Sequence, residues 1–594
     1  MKLLAKLPKG RFAVTVYSLF IALVVGAVNF YVALPALNPH SGEFYRFLGL
    51  MCIVYCVSVF ILSGGAHKSD DVVRTNKEKL VLWWSFIKSR CLPAIVLLVA
   101  LVLVSVVGWL VSQPLFRAGA YRQLLDVQNG DFATEVTQIS FDKIPTLDRT
   151  SAEYLGDRQM GTLSDMVSQF EYSNDSTQIN YQGRPVRVAP IDYADLFKWL
   201  TNRGDGLPAY VLVDMVTQEA TVVRLQEGMT YSFSEPLNRN IERHLRFHYP
   251  TMMFSTPEFE IDENGHPWWI APRVVKTIGL FGGTDIRGAV LVDAVTGESR
   301  YMEDVPTWVD TLYTPSLVME QYDYYGTYVR GFWNSIFGQR DVTLTTDGYN
   351  YIAMNDDVYA YTGVTSANAD QSNLGFLLCN LRTKDTRYYV APGATENAAR
   401  LSAMGVVQDL GYQATFPLLL NVAGEPTYFI PLKDATSLVK MYAMVNVAQY
   451  QIVATGTTVS ACERSYIQLL SDRGVTQPED LPQTSVTGTV AEIRTAVLDG
   501  SSVYFLRLDG GDVFYAISAA QNRDVVTVNV GDTVTIDHET PIEGETGAIL
   551  DGYSLTLGAP KPVDPEALPL SPLQESYDAL PAQPVWSGTG LPMN

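Results

Sequence analysis

Three long apolar runs near the start of the chain constrain its fold more than any other sequence feature. They occupy residues 12–34, 44–64 and 92–111, and Arg46 is the one charged residue within them. As a helix, each run is long enough to cross a hydrocarbon core roughly 30 Å thick. The first run is longer than the apolar segment of a signal peptide, and no clean small-residue cleavage site follows it. The sequence therefore predicts three uncleaved transmembrane helices.

Basic residues beside these runs predict their orientation. Four precede the first run, six lie between the second and third runs, and none lies between the first and second. By the positive-inside rule, the N-terminus and the second loop are cytoplasmic. With three spans, everything after about residue 111 then lies outside. We expect a multi-pass plasma-membrane protein with a large extracytoplasmic C-terminal region.

Charge is distributed unevenly along the chain. Residues 1–117 carry a net charge of +8, and the remainder carries −29, for a total of −21 over 594 residues. An acidic body repels phosphate backbones, which argues against nucleic acid as a partner. The expected partners are the lipid bilayer and other envelope or membrane proteins.

Composition and patterning divide the chain into five segments. The expected fold is a membrane-anchored α+β protein with three N-terminal transmembrane helices, a repeated hairpin-plus-helix body and a small C-terminal β-barrel. The segments are residues 1–113, the transmembrane region; 114–470, the extracytoplasmic α+β body; 471–483, a polar linker; 484–558, the barrel; and 559–594, a Pro-rich tail expected to be disordered or polyproline-like.

One pattern recurs in the body. Segments 211–219 (VLVDMVTQE) and 290–298 (VLVDAVTGE) each read as a buried strand that ends in Asp, followed by a turn and a returning strand. Segments 376–390 and 418–432 have the same hairpin shape. Helical patterns lie at residues 193–201, 316–337, 395–410 and 435–446. The repetition predicts a body built from related modules.

The 290–298 segment resembles the end of a PepSY-type module, in which a strand runs into VDxxTGE and a hairpin turn. The matching residues are Val292, Asp293, Thr296, Gly297 and Glu298, and more weakly Val213, Asp214, Thr217 and Glu219, where Gln218 replaces the glycine. The resemblance covers a few dozen residues. The resemblance implies a fold for the modules and, as an expectation, the roles of that family in peptidase inhibition and envelope regulation, although fold does not fix function.

Residues 484–558 read as five or six short strands, including VVTV at 525–528, and resemble an OB-like barrel. Such barrels often bind nucleic acid in a basic groove. Here Arg494, Arg507 and Arg523 stand against eleven acidic residues, and the segment has no Lys. We expect this barrel to pack against a neighbour or bind protein.

No residues form a recognisable catalytic constellation, and no cofactor is expected. His244 and His248 are four residues apart and would share one face of a helix, which makes them weak candidates for a metal site. The alternative is that they serve a surface helix rich in arginine. Cys379 and Cys462 could form a disulfide or remain buried thiols, and the sequence leaves both possibilities open.

Two aromatic groups are candidate binding surfaces. Trp268 and Trp269 could stack on a sugar or peptide, although one of two consecutive strand residues usually faces the core. Tyr324, Tyr325 and Tyr328 belong to an aromatic helix face that could dock a partner or form the buried side of an amphipathic helix.

The leading functional hypothesis is a non-enzymatic, membrane-anchored extracytoplasmic scaffold or regulator that binds protein or peptide partners. One alternative is an envelope enzyme, a glycan or peptide hydrolase with a dispersed carboxylate site. The other is an accessory subunit of a membrane transport complex. The spans lack the internal charged residues that an ion path of their own would need, so a larger complex would have to supply the path.

Overall fold

The computed structural model describes residues 11–66, 76–136, 144–163, 165–354, 356–367, 372–475, 485–498, 501–519, 522–538 and 549–558. The chain divides into two compact units, Met1–Pro482 and Gln483–Asn594. It is an α+β protein with three apolar helices near the N-terminus and several sheets.

The three predicted apolar helices are present as α1 (Arg11–Ala33), α2 (Gly42–Ala66) and α3 (Asn76–Val111). Each contains a stretch long and apolar enough to cross a membrane. Many of their apolar side chains are exposed, which is compatible with membrane anchoring. α3 continues through Pro93 without a break.

The body contacts the C-terminal ends of α1 and α3. The Ser112 hydroxyl, just beyond α3, accepts hydrogen bonds from the backbone N–H groups of Leu280 (2.9 Å) and Phe281 (3.0 Å). The Arg246 guanidinium donates to the Leu34 carbonyl beside the end of α1 at 2.8 Å. These bonds fasten the body to one end of the helices.

Three short elements lead from α3 into the body. They are α4 (Pro114–Arg122), β1 (Val127–Gly130) and α5 (Phe132–Glu135). Four five-stranded arrangements follow, and they share one topology. In each, the first two strands both pair with the third, and the third, fourth and fifth strands form an antiparallel meander. A helix precedes each set, so we call a helix with its five strands a module.

Modules one and two occupy the first half of the body. Module one comprises α6 (Arg149–Gly161), β2 (Phe170–Tyr172), β3 (Thr177–Tyr181), β4 (Arg184–Tyr193), α7 (Leu196–Asn202), β5 (Leu207–Asp214) and β6 (Ala220–Met229). Module two comprises α8 (Ile241–His248), β7 (Met253–Phe254), β8 (Glu258–Ile261), β9 (Pro267–Ile278), β10 (Gly282–Asp293) and β11 (Ser299–Met302).

Modules three and four follow, and β1 adds to module three as a parallel sixth strand beside β16. Module three comprises α9 (Pro315–Thr327), β12 (Thr343–Thr345), β13 (Asn350–Met354), β14 (Asp357–Ser366), β15 (Ser372–Asn380) and β16 (Thr386–Ala394). Module four comprises α10 (Glu396–Val406), β17 (Gln413–Ala414), β18 (Leu418–Val422), β19 (Glu425–Lys433), β20 (Val439–Asn446) and β21 (Val453–Gly456), with α11 (Val459–Asp472) after it.

The residue at the end of the fourth strand has one role in all modules. Oδ1 of Asp214, Asp293 and Asn380 accepts the backbone N–H groups of the second and third residues that follow, at 2.8–3.0 Å. In module four, Asn446 Oδ1 accepts from Gln449 N at 2.8 Å. An Asx side chain that caps a turn in this way explains why the recurring VDxxT pattern produces hairpins.

The same four residues pair with a polar side chain at or beside the start of the third strand. In modules one and two the third strand supplies the basic group, and in modules three and four it supplies the carboxylate. The pairs are Arg184–Asp214 (3.2 Å), His266–Asp293 (3.1 Å), Asp357–Asn380 (2.8 Å) and Glu425–Asn446 (3.4 Å). The same two positions are in contact in all four modules, although the donor and the acceptor exchange places between the first two modules and the last two. This shared contact supports four copies of one structural unit.

The modules share cores in pairs. One hydrophobic cluster joins modules one and two and includes Val211 and Trp269. Another joins modules three and four and includes Phe376 and Tyr428. Each module has too few residues to bury both faces of its sheet alone, which is typical of stacked repeats.

Two expectations for module four were wrong. Residues 435–446 were expected to be helical, but β20 occupies most of this segment and pairs with β19 and β21. Its helix-favouring Met and Ala residues are overridden by pairing on both edges and by burial of its second half. Segment 418–432 is a hairpin, but β18 and β19 are the second and third strands of the module, so it is not equivalent to the other three hairpins.

The expected helix at 316–337 is shorter in the structure. α9 ends at Thr327, and a separate π-helical turn covers Asn334–Gly338. The helices expected at 193–201 and 395–410 are present as α7 and as α10, which continues into a 3₁₀ turn at Gln408–Leu410.

The second unit contains five described strands: β22 (Ser485–Leu498), β23 (Ser501–Leu508), β24 (Phe514–Ser518), β25 (Thr533–His538) and β26 (Ile549–Leu557). They pair in the closed order β22-β23-β24-β26-β25. The strand expected at 525–528 is instead a 3₁₀ turn, Arg523–Thr527, which buries Val525. Part of the linker (476–483), the first residue of the predicted barrel (484) and the whole tail (559–594) lie outside the described residues.

Candidate functional site

A cavity of about 450 Å³ lies in the first unit, and residues of all four modules line it. Module one contributes Arg187, module two Glu258, module three Tyr351 and module four Phe416. Sites between repeated units are common locations for ligands because each unit supplies one wall. We treat this cavity as the candidate functional site.

The most unusual residue in the wall of the cavity is Arg187, because its guanidinium is buried without a carboxylate partner among the described residues. It lies on β4, a strand buried along nearly its whole length, and is only 4% exposed. Its Nη1 donates to the Ser176 carbonyl (3.1 Å) and hydroxyl (3.2 Å), whereas its Nε has no partner. In the described part of the chain, no carboxylate lies within ion-pair distance of this guanidinium. Burial lowers the pKa of Arg187, because removing the guanidinium from water disfavours its charged form.

Two neighbours in the cavity wall are also incompletely satisfied. Gln178 on β3 is 5% exposed, and its Nε2 donor has no partner. Glu258 on β8 accepts a hydrogen bond from the Thr177 hydroxyl at 3.2 Å through one of its oxygens. Burial raises the pKa of Glu258. The wall thus combines unused donors with one weakly solvated carboxyl group.

The other charged groups of the wall already have partners. Arg149 Nε donates to Glu153 Oε1 at 2.6 Å. Asp148 caps α6 by accepting from Ser151 N (2.9 Å) through Oδ1, and its Oδ2 accepts from Lys433 Nζ (2.6 Å). Burial alone would raise the pKa of Asp148, but these hydrogen bonds hold it below its usual value.

A pair of buried carboxyl groups lies elsewhere, between modules one and two. The Glu260 carboxylate accepts the backbone N–H groups of Asp310 and Thr311, both at 2.9 Å. Asp310 Oδ2 accepts from Asn180 N at 2.6 Å. Burial raises the pKa of both groups, and the charge of Glu260 raises that of Asp310 further. Neither lines the cavity, so the pair connects the modules rather than facing an open cleft.

The two tryptophans have different environments. Trp269 is 1% exposed, contacts Phe233 and Phe259, and donates from Nε1 to the Tyr231 carbonyl at 2.8 Å. Trp268 is half-buried against Trp308. The pleat of β9 therefore directs Trp269 into the core and leaves part of Trp268 accessible.

The tyrosine-rich face of α9 packs on α4. Tyr324 and Tyr328 contact the ring of Tyr121, and Tyr325 lies under the guanidinium of Arg122. All three predicted surface tyrosines are half-buried. Their rings are thus largely engaged with the helix that follows α3.

His244 and His248 lie on α8 with ring centroids 4.2 Å apart. Burial and the neighbouring His248 lower the pKa of His244 to about 4. Within the described residues, no group of three or more His, Cys, Asp or Glu side chains could hold a metal ion. Cys379 and Cys462 are buried free thiols in two different hydrophobic clusters.

The cavity was not predicted from the sequence, although the sequence contains one signal of it. Arg187 is the one charged residue in the apolar segment 185–191, which forms most of β4. A single charge inside a strand that is otherwise buried is costly and indicates a specific role. No protein-family model matches the chain, and no curated protein shows significant similarity to it.

Proposed function

We propose that this chain is a membrane-anchored extracytoplasmic scaffold or regulatory protein whose modular body binds a protein or peptide partner. The observation that carries the proposal is the cavity at the junction of the four modules, with Arg187 buried in its wall without a carboxylate partner. A buried charge of this kind is stabilised when a ligand supplies the missing counter-charge.

The proposed topology has the N-terminus in the cytoplasm and the body outside the plasma membrane. Basic residues flank the helices on one side, as the positive-inside rule requires. The hydrogen bonds that Leu34 and Ser112 accept from the body support this arrangement, because they fasten the acidic body at the ends of α1 and α3 opposite the basic N-terminus and the basic second loop.

We further propose PepSY-like modules and an OB-like second unit. The shared topology of the modules and the Asx-capped turns at Asp214 and Asp293 support the first assignment. The closed order β22-β23-β24-β26-β25 supports the second, with β24 and β26 parallel and the remaining pairs antiparallel.

A hydrolase with a dispersed carboxylate site would need two carboxyl groups around an open space. The carboxyl groups that line the cavity are Glu258 and Asp148, and both oxygens of Asp148 already accept hydrogen bonds. The buried pair Glu260 and Asp310 has raised pKa values but does not reach the cavity. These contacts favour binding over hydrolysis.

Site-specific photocrosslinking in intact cells tests the proposal. Tyr349 lines the cavity and is 41% exposed, so a photoreactive p-benzoylphenylalanine at this position should form an adduct with an envelope protein or peptide. Leu401 on α10 is 58% exposed and does not line the cavity, which makes it the matched control. We expect an adduct at position 349 only, identified by mass spectrometry. Equal adducts at both positions, none at 349, or hydrolysis of peptides or glycans by the purified chain would contradict the proposal.

A further inference from the structure

We infer that the cavity receives the C-terminal carboxylate of a peptide, and that Arg187 is the group that binds it. This inference rests on the proposed function and specifies the chemistry of the partner. Carboxylates are the natural ligands of a guanidinium because its planar donors match their two oxygens.

The donors needed for such an anion are already in place. Arg187 Nη1 donates hydrogen bonds to Ser176, and Arg187 Nε is a buried donor without an acceptor among the described residues. Gln178 Nε2, from the neighbouring strand β3, is a second unused buried donor. A buried donor without an acceptor is costly, so two of them in the wall of one cavity favour a ligand with acceptor oxygens.

Glu258 narrows the ligand class. Its carboxyl group lines the same cavity and has no cationic partner within ion-pair distance in the described part of the chain. It would repel a polyanion such as a nucleic acid or a phosphorylated lipid. It would, however, accept hydrogen bonds from the amide or ammonium groups of a peptide. A wall with both a donor cluster and an acceptor thus fits a peptide end better than a simple anion.

The size of the cavity sets the length of the segment. Its volume of about 450 Å³ lies in the range of ligand-binding pockets, roughly 300–1,000 Å³, and suits a short peptide end. Tyr349, Tyr351 and Phe416 supply aromatic surface for its side chains.

Binding of three matched peptides to the purified full-length chain tests the inference. Trialanine has both charged ends, N-acetyl-trialanine keeps only the carboxylate, and trialanine amide keeps only the ammonium group. Calorimetry should show binding of the first two and an affinity for the amide that is lower by about tenfold to a hundredfold, the usual effect of one charge-assisted hydrogen-bond pair. Equal affinity for acid and amide, or no binding of any peptide, would overturn the assignment.

Two variants test whether Arg187 is the residue that binds the peptide carboxylate. Arg187→Met should lower the affinity for N-acetyl-trialanine at least tenfold and leave that for the amide unchanged. Arg224→Met is the control, because Arg224 is paired with Asp165 and does not line the cavity, and it should change either affinity by less than threefold. A purely structural role for Arg187 would instead lower the melting temperature and affect both peptides alike. Equal loss in both variants would also overturn the inference.

Two further results separate this inference from the proposed function. Sodium sulfate that displaced N-acetyl-trialanine at equal concentration would show a general anion site and refute peptide recognition. An adduct at position 349 in cells, without peptide binding in solution, would leave the proposed function in place and refute only the carboxylate assignment. Peptide binding in solution without any adduct in cells would leave the carboxylate assignment in place and refute the proposed function.

Discussion

Replacing Trp269 by alanine is expected to lower the free energy of unfolding by about 3–5 kcal/mol, the range for removal of a fully buried large aromatic side chain. Trp269 is 1% exposed, belongs to the core shared by modules one and two, and loses its hydrogen bond to Tyr231 in the variant. Urea unfolding followed by circular dichroism of the full-length chain measures the change.

Trp268→Ala is the matched control. Its neighbour in sequence is half-buried and packs mainly against Trp308, so we expect a loss of only about 1–2 kcal/mol. Equal losses in the two variants would contradict the inward orientation of Trp269. A large loss at Trp268 with little at Trp269 would indicate that the register of β9 differs by one residue.

The buried pair Glu260 and Asp310 should make stability fall as the pH rises. Burial raises the pKa of Glu260 to about 8, so the folded state favours its protonated form. The contribution of this group is fully present below its ordinary pKa of 4.5 and is lost as the pH rises through about 8. Each pKa unit corresponds to about 1.4 kcal/mol.

We therefore expect Glu260→Gln to gain stability relative to the unaltered chain by about 2–4 kcal/mol between pH 5 and pH 9. The amide loses one hydrogen bond to the backbone, which adds an offset that does not depend on pH. His244, whose pKa is lowered to about 4, titrates in both proteins and cancels in the difference.

Glu242→Gln is the control for this experiment, because Glu242 is exposed on α8. It should reproduce the pH profile of the unaltered chain. A difference between Glu260→Gln and the unaltered chain that stays constant from pH 5 to pH 9 would mean that Glu260 remains ionised in the fold.

Much of the fold could be predicted from local sequence signals. The three apolar runs determine α1, α2 and α3 by length and composition alone. The Asp residues at 214 and 293 predicted hairpins because an Asx side chain can cap the turn that follows it.

The errors arise where tertiary pairing outweighs local preference. Segment 435–446 has helix-favouring residues, but β20 lies between two strands and gains a ladder of hydrogen bonds on each edge. The 525–528 segment consists of β-branched residues that favour a strand, yet Asn522 accepts the N–H of Asp524 at 3.1 Å and starts a 3₁₀ turn there. Neither pairing partners nor side-chain caps of this kind can be read from one short segment.

The candidate site was harder to predict because its parts are far apart in sequence. Arg187, Glu258, Tyr351 and Phe416 belong to four modules and meet only when the modules stack. The isolated charge at Arg187 was the one local signal. By contrast, the two aromatic groups predicted as binding surfaces, the tryptophan pair on β9 and the tyrosine-rich face of α9, are mainly involved in packing.

The central claim is that the acidic body lies on the extracytoplasmic side of the membrane. Cysteine labelling in intact cells tests this claim most directly. Asp70→Cys places a thiol between the second and third helices, and Ser587→Cys places one in the C-terminal tail. The native thiols of the body, Cys379 and Cys462, are buried and give little background. With a membrane-impermeant maleimide, we predict labelling at position 587 in intact cells and at position 70 only after lysis. Labelling at position 70 and protection at position 587 would contradict the account.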